Sequence, residues 1–77
     1  MGGNKSEARS ERIHKLMKEI DSRNPGISLK VPEWKYLINN QKEMTNLREV
    51  EIIAALNDLQ GKKFTHRTPQ GRWELVA

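Results

Sequence analysis

Hydrophobic residues recur every three to four positions in the first third of the chain. The positions i, i+3, i+4 and i+7 are occupied by Ile13, Leu16, Met17 and Ile20. This is the spacing of one face of an α-helix. The pattern predicts a first helix that begins at Ser6 and ends before the Asn24-Pro25-Gly26 sequence, because proline disfavours helix in the residue before it and glycine permits a turn.

A change of period follows this stop signal. Residues 27–31 alternate apolar and polar side chains, which is typical of a short, half-buried strand. Pro32 suits a first helical position, so a short second helix is predicted through EWKYLINN, with Leu37 and Ile38 inward. Trp34 and Tyr36 lie two positions apart on this helix and cannot share a face. We therefore expect one of them to be buried and the other exposed.

A polar segment, residues 39–43, separates this helix from a third one. Thr45 and Asn46 are competent N-caps, and Asn46 with Glu49 has capping-box spacing. The predicted third helix is LREVEIIAALNDLQ, closed by Gly61 in the left-handed conformation. Its predicted apolar face consists of Leu47, Val50, Ile53, Ala54, Leu56 and Leu59.

The C-terminal segment predicts a β-hairpin. The runs KKFTH and GRWEL favour strands, and Pro69 and Gly71 lie in the loop between them. The apolar side chains expected to cover the helical core are Phe64, Trp73, Leu75 and Val76.

The resulting order is helix, strand, helix, helix, strand, strand. This order and the helix-to-hairpin junction resemble the winged helix-turn-helix superfamily over about residues 8–77. The resemblance implies an α+β fold of three helices, a short strand and a C-terminal β-hairpin wing. We assign residues 6–77 to this domain and residues 1–5 to a disordered tail.

A fainter similarity links the chain to the Z-nucleic-acid-binding domains of that superfamily. It rests on the sequences REV and ALNDLQ in helix 3, and on Thr68-Pro69 before Trp73. The positions at which that family keeps an asparagine and a tyrosine are Ile53 and Asn57 in this chain. Readout of left-handed nucleic acid is therefore not supported.

Charge is distributed unevenly along the chain. Residues 61–77 contain four basic residues and one acidic residue, so they hold +3 of the net charge of +4. Exposed cations beside a turn can meet phosphates without other groups being desolvated. The candidate phosphate contacts in the wing are Lys62, Lys63, Arg67 and Arg72. We therefore predict a nucleic-acid-binding module, with double-stranded DNA as partner and a role in transcription regulation or replication.

Helix 3 complicates this prediction. Residues 45–60 contain one basic residue and three acidic ones, and carboxylates repel phosphates. The candidate contacts in and before this helix are Lys42, Asn46, Arg48 and Asn57. The alternative is a winged-helix module that binds another protein, which the acidic helix favours. A two-fold dimer could use exposed Tyr36 or Met44, but the pattern leaves the oligomeric state open.

Other chemistry finds little support. The chain has no cysteine, and His14 and His66 lack metal-ligand spacing, so we expect no metal and no cofactor. Nothing in the spacing of Ser10, His14 and Asp21 resembles a nucleophile elbow, and we expect no enzymatic activity. The apolar runs are far shorter than the ~20 residues of a membrane span, and we expect an intracellular protein, cytoplasmic or nuclear. Gly2 fits the loose myristoylation pattern.

Overall fold

The computed structural model describes the backbone of residues 5–76 and the side chains of residues 8–76. Three helices and three strands form a small α+β domain, with the elements in the predicted order. They are α1 (Lys5–Arg23), β1 (Ser28–Leu29), α2 (Val31–Asn39), α3 (Glu49–Gly61), β2 (Thr65–Arg67) and β3 (Trp73–Leu75). Residues 1–4, and with them most of the predicted tail and Gly2, lie outside the described residues.

Helix α1 presents its predicted face to the core. All four apolar residues of that stripe are buried. The helix closes where Asn24 N–H donates to the carbonyls of Ile20 and Asp21, both at 3.1 Å. The first helix and its stop signal are therefore confirmed.

Helix α2 is tied to the sheet by its tryptophan. Trp34 is fully buried, and its Nε1 donates to the Trp73 carbonyl at 2.8 Å. Tyr36, two positions on, is 67% exposed. The expected division between the two aromatic residues is confirmed, and the buried indole has the hydrogen-bond partner that a buried polar group needs.

The sheet is antiparallel with the order β1-β3-β2. Trp73 of the central strand pairs with Leu29 on one side and with Arg67 on the other. The turn between β2 and β3 is closed by Gly71 N–H donating to the Thr68 carbonyl at 2.9 Å. Gly71 has φ +81°, which is a left-handed conformation that glycine adopts without strain. The predicted hairpin is confirmed.

The connection between α2 and α3, residues 40–48, is organised by one side chain. Asn39 Oδ1 accepts from the Leu47 N–H and from the Thr45 hydroxyl, both at 2.8 Å. Asn39 Nδ2 donates to the Leu47 carbonyl at 2.9 Å. Because these bonds hold Thr45 and Leu47 outside the helix, the chain becomes helical later than predicted.

The predicted N-cap of helix α3 is wrong. The cap is Arg48 rather than Asn46, and the carboxylate that turns back is Glu51 rather than Glu49. Glu51 Oε1 accepts from the Arg48 N–H at 2.9 Å. The helix begins at Glu49 because Asn39 already binds the backbone of the residue that precedes Arg48.

The predicted apolar face of α3 is wrong at three of its six residues, since Leu47 packs partly buried against the core and Leu56 and Leu59 are buried. The buried residues of the helix are Ile52, Ala55, Leu56 and Leu59, which again have the spacing i, i+3, i+4 and i+7. Val50 is 64% exposed and Ile53 38% exposed, and Ala54 is exposed as well. The helix is therefore rotated about its axis relative to the prediction, and only Leu56 and Leu59 lie fully in the core as expected.

The C-terminal end of α3 differs from the prediction too. Gly61 is helical, and the left-handed residue is Lys63, with φ +66°. Phe64 N–H donates to the Leu59 carbonyl and Lys63 N–H to the Gln60 carbonyl, both at 2.9 Å. This is a Schellman motif with lysine at the position that glycine usually occupies.

This ending moves Phe64 out of the core. The inward residue of β2 is Thr65, 3% exposed, whose hydroxyl donates to the Leu56 carbonyl at 3.0 Å. Phe64 is 45% exposed instead and stacks on His14, with ring centroids 4.8 Å apart. Val76, 51% exposed, is likewise not a core residue, whereas buried Trp73 is one.

Candidate nucleic-acid interface

Two candidate cations, Arg67 and Arg72, lie at the turn of the hairpin. Arg67 ends β2, and Arg72 immediately precedes β3. Both residues are exposed. The backbone here is held tightly, since Thr68 N–H donates to the Arg72 carbonyl at 2.7 Å and Arg72 N–H to Thr68 Oγ1 at 3.0 Å. The turn therefore presents two guanidinium groups from a fixed backbone.

The surroundings of these two guanidinium groups differ. Arg72 Nη1 donates to the Ser28 carbonyl at 3.2 Å, which orients the group across the edge strand while its other donors stay available. Within residues 8–76, Arg67 has neither a hydrogen bond nor an ion pair from its side chain. Both positive charges therefore lack a carboxylate partner in the described part of the chain.

Lys62 and Lys63 lie at the opposite end of β2, where α3 ends. Lys62 Nζ is 3.6 Å from Asp58 Oδ2, so part of its charge is neutralised within the chain. Lys63 is exposed and, in the part of the chain that the structure describes, makes no ion pair. Of these two candidates, Lys63 is the more accessible to an external anion.

Arg48 precedes α3 and is partly engaged. Its Nε lies 3.6 Å from Glu51 Oε1, and Arg9 Nη1 lies 3.5 Å from the other oxygen of that carboxylate. The pKa of Glu51 is lowered chiefly by the hydrogen bond from the Arg48 N–H, and the charges of Arg48 and Arg9 lower it further against the opposing effect of desolvation. A carboxylate thus stays ionised beside Arg48 and weakens its attraction for phosphate.

Lys42 and Asn46 belong to the connection before α3 and are exposed. Lys42 lines a cleft of about 420 Å³ against α1. Arg12 and Glu43 line the same cleft and form an ion pair with 3.1 Å between Nη2 and Oε1. Lys42 therefore adds positive charge near an ion pair, on a part of the surface built by α1 and the connection rather than by the hairpin.

One stripe of the exposed surface of α3 is mainly apolar. Val50, Ile53, Ala54 and Asn57 follow each other at i, i+3, i+4 and i+7, and all four are exposed. No lysine or arginine occurs between Glu49 and Gly61. Asn57, a predicted base contact, thus lies in an apolar stripe without cations. The sequence interpretation missed this face because it assigned the same residues to the core.

The aromatic pair formed by His14 and Phe64 was also not predicted. The rings are stacked with an interplanar angle of 7°. The pKa of His14 is lowered, first by burial and second by the charge of Lys18. The neutral imidazole is therefore the form that the folded protein favours beside Phe64.

Comparison with known proteins adds no assignment: no protein-family model, no curated protein and no solved structure matches this chain. Among residues 5–76, none of the helices combines the length and apolar character needed to cross a bilayer. The described residues also contain no group of three or more His, Asp or Glu side chains that could hold a metal ion.

Proposed function

We propose that this chain is a winged-helix domain that binds nucleic acid, with double-stranded DNA as the partner and the hairpin as the main binding element. The order of the six elements and the C-terminal hairpin, β2 and β3, are compatible with a winged helix. The β1-β3-β2 sheet order anchors that hairpin to the helical core through the pairing of Leu29 with Trp73.

One observation carries the proposal. Lys63, Arg67 and Arg72 are exposed, and in the described residues none of them is paired with a carboxylate. Such cations can bind phosphates without first losing an internal partner, and each contact releases counterions from the nucleic acid. The hydrogen-bonded turn keeps the two arginines in place, which reduces the entropy lost on binding.

Helix α3 has a lesser role in this proposal. A helix that enters the major groove normally offers hydrogen-bond donors to bases and positive charge to phosphates. The exposed face of α3 has Asn57 among apolar residues, and Arg48 lies beside the Glu51 carboxylate. Base reading by Asn46, Arg48 and Asn57 stays a separate hypothesis, in which loss of any one side chain changes sequence preference rather than overall affinity.

The proposed mechanism predicts a strong dependence on salt. Three to four phosphate contacts give a slope of about −3 to −4 for the logarithm of the association constant against the logarithm of salt concentration. Because these contacts reach only the backbone, removing one cation should weaken binding to every sequence to a similar degree.

The test is fluorescence anisotropy with a labelled mixed-sequence duplex of roughly 20 base pairs, at low and near-physiological salt. The hairpin variant carries Lys63→Gln, Arg67→Gln and Arg72→Gln. The control variant carries Lys15→Gln, Lys18→Gln and Arg23→Gln on α1, so both lose the same net charge. Circular dichroism of each variant checks that it is folded.

The proposal requires that the hairpin variant lose at least about tenfold in affinity and about three units of salt slope, while the control variant loses much less. Equal losses in the two variants would mean that net charge alone attracts DNA. If the original chain does not bind the duplex at low salt, the proposal that it binds DNA is refuted.

A second candidate function is favoured by α3. Its exposed apolar face, formed by Val50, Ile53 and Ala54, is typical of a protein-binding surface rather than of a helix that meets phosphates. On this alternative the chain is a winged-helix interaction module. Substituting Val50 by glutamate separates the candidates, because it should abolish protein binding and leave hairpin-mediated DNA affinity within about a few-fold.

A further inference from the structure

The exposed face of α3 forms a stripe that nothing in the described residues covers. Val50 is 64% exposed and Ile53 38% exposed, and exposed Ala54 lies beside them on the helix. Removing such a stripe from water is favourable, in proportion to the apolar area buried. We propose that a second copy of this chain covers it, so that two α3 helices pack antiparallel about a two-fold axis.

The apolar residues suit such a pairing. With the axis between Ile53 and Ala54, each helix places these two residues against the same two of the second copy, and Val50 lies level with Asn57. The methyl side chain of Ala54 lets the helix axes approach to about 8–10 Å. The packed centre, formed by Ile53 and Ala54, is therefore apolar, and Val50 of each copy lies beside the Asn57 amide of the other at its ends.

The charges at the ends of the face are self-complementary: Arg48 precedes the helix and Asp58 lies near its end, where it is also 3.6 Å from Lys62 of its own chain. In the same register, Arg48 of one copy lies within about one residue, ~1.5 Å along the axis, of Asp58 in the other. Both groups lie on the same side of the stripe. Asp58 follows Glu51 by seven residues, about two helical turns, so these two side chains lie one above the other, and Arg48 contacts Glu51. A two-fold axis across the helices sets like flanks together, so Arg48 of each copy lies opposite Asp58 of the other, and the dimer contains this pair twice.

The flank on the α2 side adds further contact area. Tyr36, 67% exposed, lines a shallow depression together with Glu49, at the start of α3. It can cover the C-terminal half of the second helix. One helix and one tyrosine still give less than the ~800 Å² per partner of a standard interface, so we expect a weak dimer with a dissociation constant on the order of 100 µM.

This inference does not rest on the nucleic-acid proposal. Lys63, Arg67 and Arg72 lie outside the α3 stripe, so a dimer would leave the hairpins free and present two of them. It would, however, bury Arg48 and Asn57, and it therefore excludes base reading by these residues in the dimeric form.

Sedimentation equilibrium from about 10 µM to 1 mM tests the inference on the full chain. The average mass should rise with concentration towards twice that of the monomer. Val50→Glu and Ile53→Glu should each weaken association at least tenfold, since each places a charge in an apolar contact. Val76→Glu is the matched control, because Val76 is similarly exposed at 51% and lies outside the stripe.

Charge reversal tests the register. Arg48→Asp and Asp58→Arg should each weaken self-association, because like charges then face each other twice. An equimolar mixture of the two variants restores both pairs in a heterodimer and should associate more strongly than either variant alone. The intrachain contacts of Arg48 and Asp58 are lost equally in the mixture, so their loss cannot produce this recovery.

Several results would overturn the inference. An average mass equal to that of the monomer throughout the concentration range would refute the dimer. An average mass that rises beyond twice that of the monomer would refute the closed two-fold arrangement. Equal dissociation constants for the Val50→Glu and Val76→Glu variants would show that α3 does not form the contact. A mixture that associates no better than its components would refute the antiparallel register.

Discussion

Lys63 is the residue at which folding and the proposed binding make opposite demands. It occupies the left-handed position of the Schellman motif that ends α3, with φ +66°. A side chain at this φ is strained by contact between its Cβ and the backbone, and glycine lacks that atom. Replacing Lys63 by glycine should therefore stabilise the fold while removing a candidate phosphate contact.

The magnitude follows from two opposing terms. Left-handed conformation costs a residue other than glycine roughly 1–2 kcal/mol, and glycine loses about 0.5–1 kcal/mol more backbone entropy on folding. The Lys63→Gly variant should thus be more stable by about 0.5–1 kcal/mol. For a chain of 77 residues this corresponds to a rise in Tm of about 2–8 °C.

Lys63→Ala is the matched control, because alanine removes the charge and keeps the Cβ. Urea denaturation should show stabilisation only for the glycine variant, whereas DNA anisotropy should show the same loss for both, with a salt slope shallower by about 0.9. Equal stability of the two variants would refute strain at position 63. Unchanged DNA affinity in both would remove Lys63 from the interface.

Two further predictions concern the buried face. Trp34→Phe should lower the free energy of unfolding by about 2–4 kcal/mol, since it removes the indole hydrogen bond to the Trp73 carbonyl and opens space in the core. Tyr36→Phe, at an exposed position, should change it by less than about 0.5 kcal/mol in the same urea titration. The lowered pKa of His14 means that its stabilising contribution is complete above its ordinary pKa of 6.5 and is lost as pH falls through the lower folded-state value. The free energy of unfolding, measured by urea titration at several pH values below 6.5, should fall less steeply with decreasing pH for His14→Gln than for the original chain. Equal slopes for the two chains would contradict the prediction.

Elements with a single strong pattern were predictable from the sequence. The α1 stripe admits only one buried face, because the residues around it are charged or polar. The hairpin was equally clear, since two strand-forming runs flank a loop that contains proline and glycine. For the same reason the exposure of Arg67 and Arg72 at the turn could be expected.

Helix ends were harder to place, because local signals compete with contacts formed in the folded chain. Asn46 is a good N-cap by itself, yet the Asn39 side chain binds the backbone of Leu47 and delays the helix. Gly61 is a good terminating residue, yet it is the last helical residue, the left-handed position falls at Lys63, and the Thr65 hydroxyl then donates to the Leu56 carbonyl. Both outcomes involve partners eight and nine residues away, beyond the roughly three or four residues over which capping signals act.

The error in α3 and the proposed dimer have a common cause. Residues 50–56 are apolar at every position but Glu51, so two stripes of equal spacing compete for the core. Ile52 and Ala55 are buried in the core, and Val50 and Ile53 remain exposed. A helix with more apolar residues than one core can bury gives an ambiguous prediction of its buried face. It also leaves the second stripe available, and in this chain a second copy could bury it.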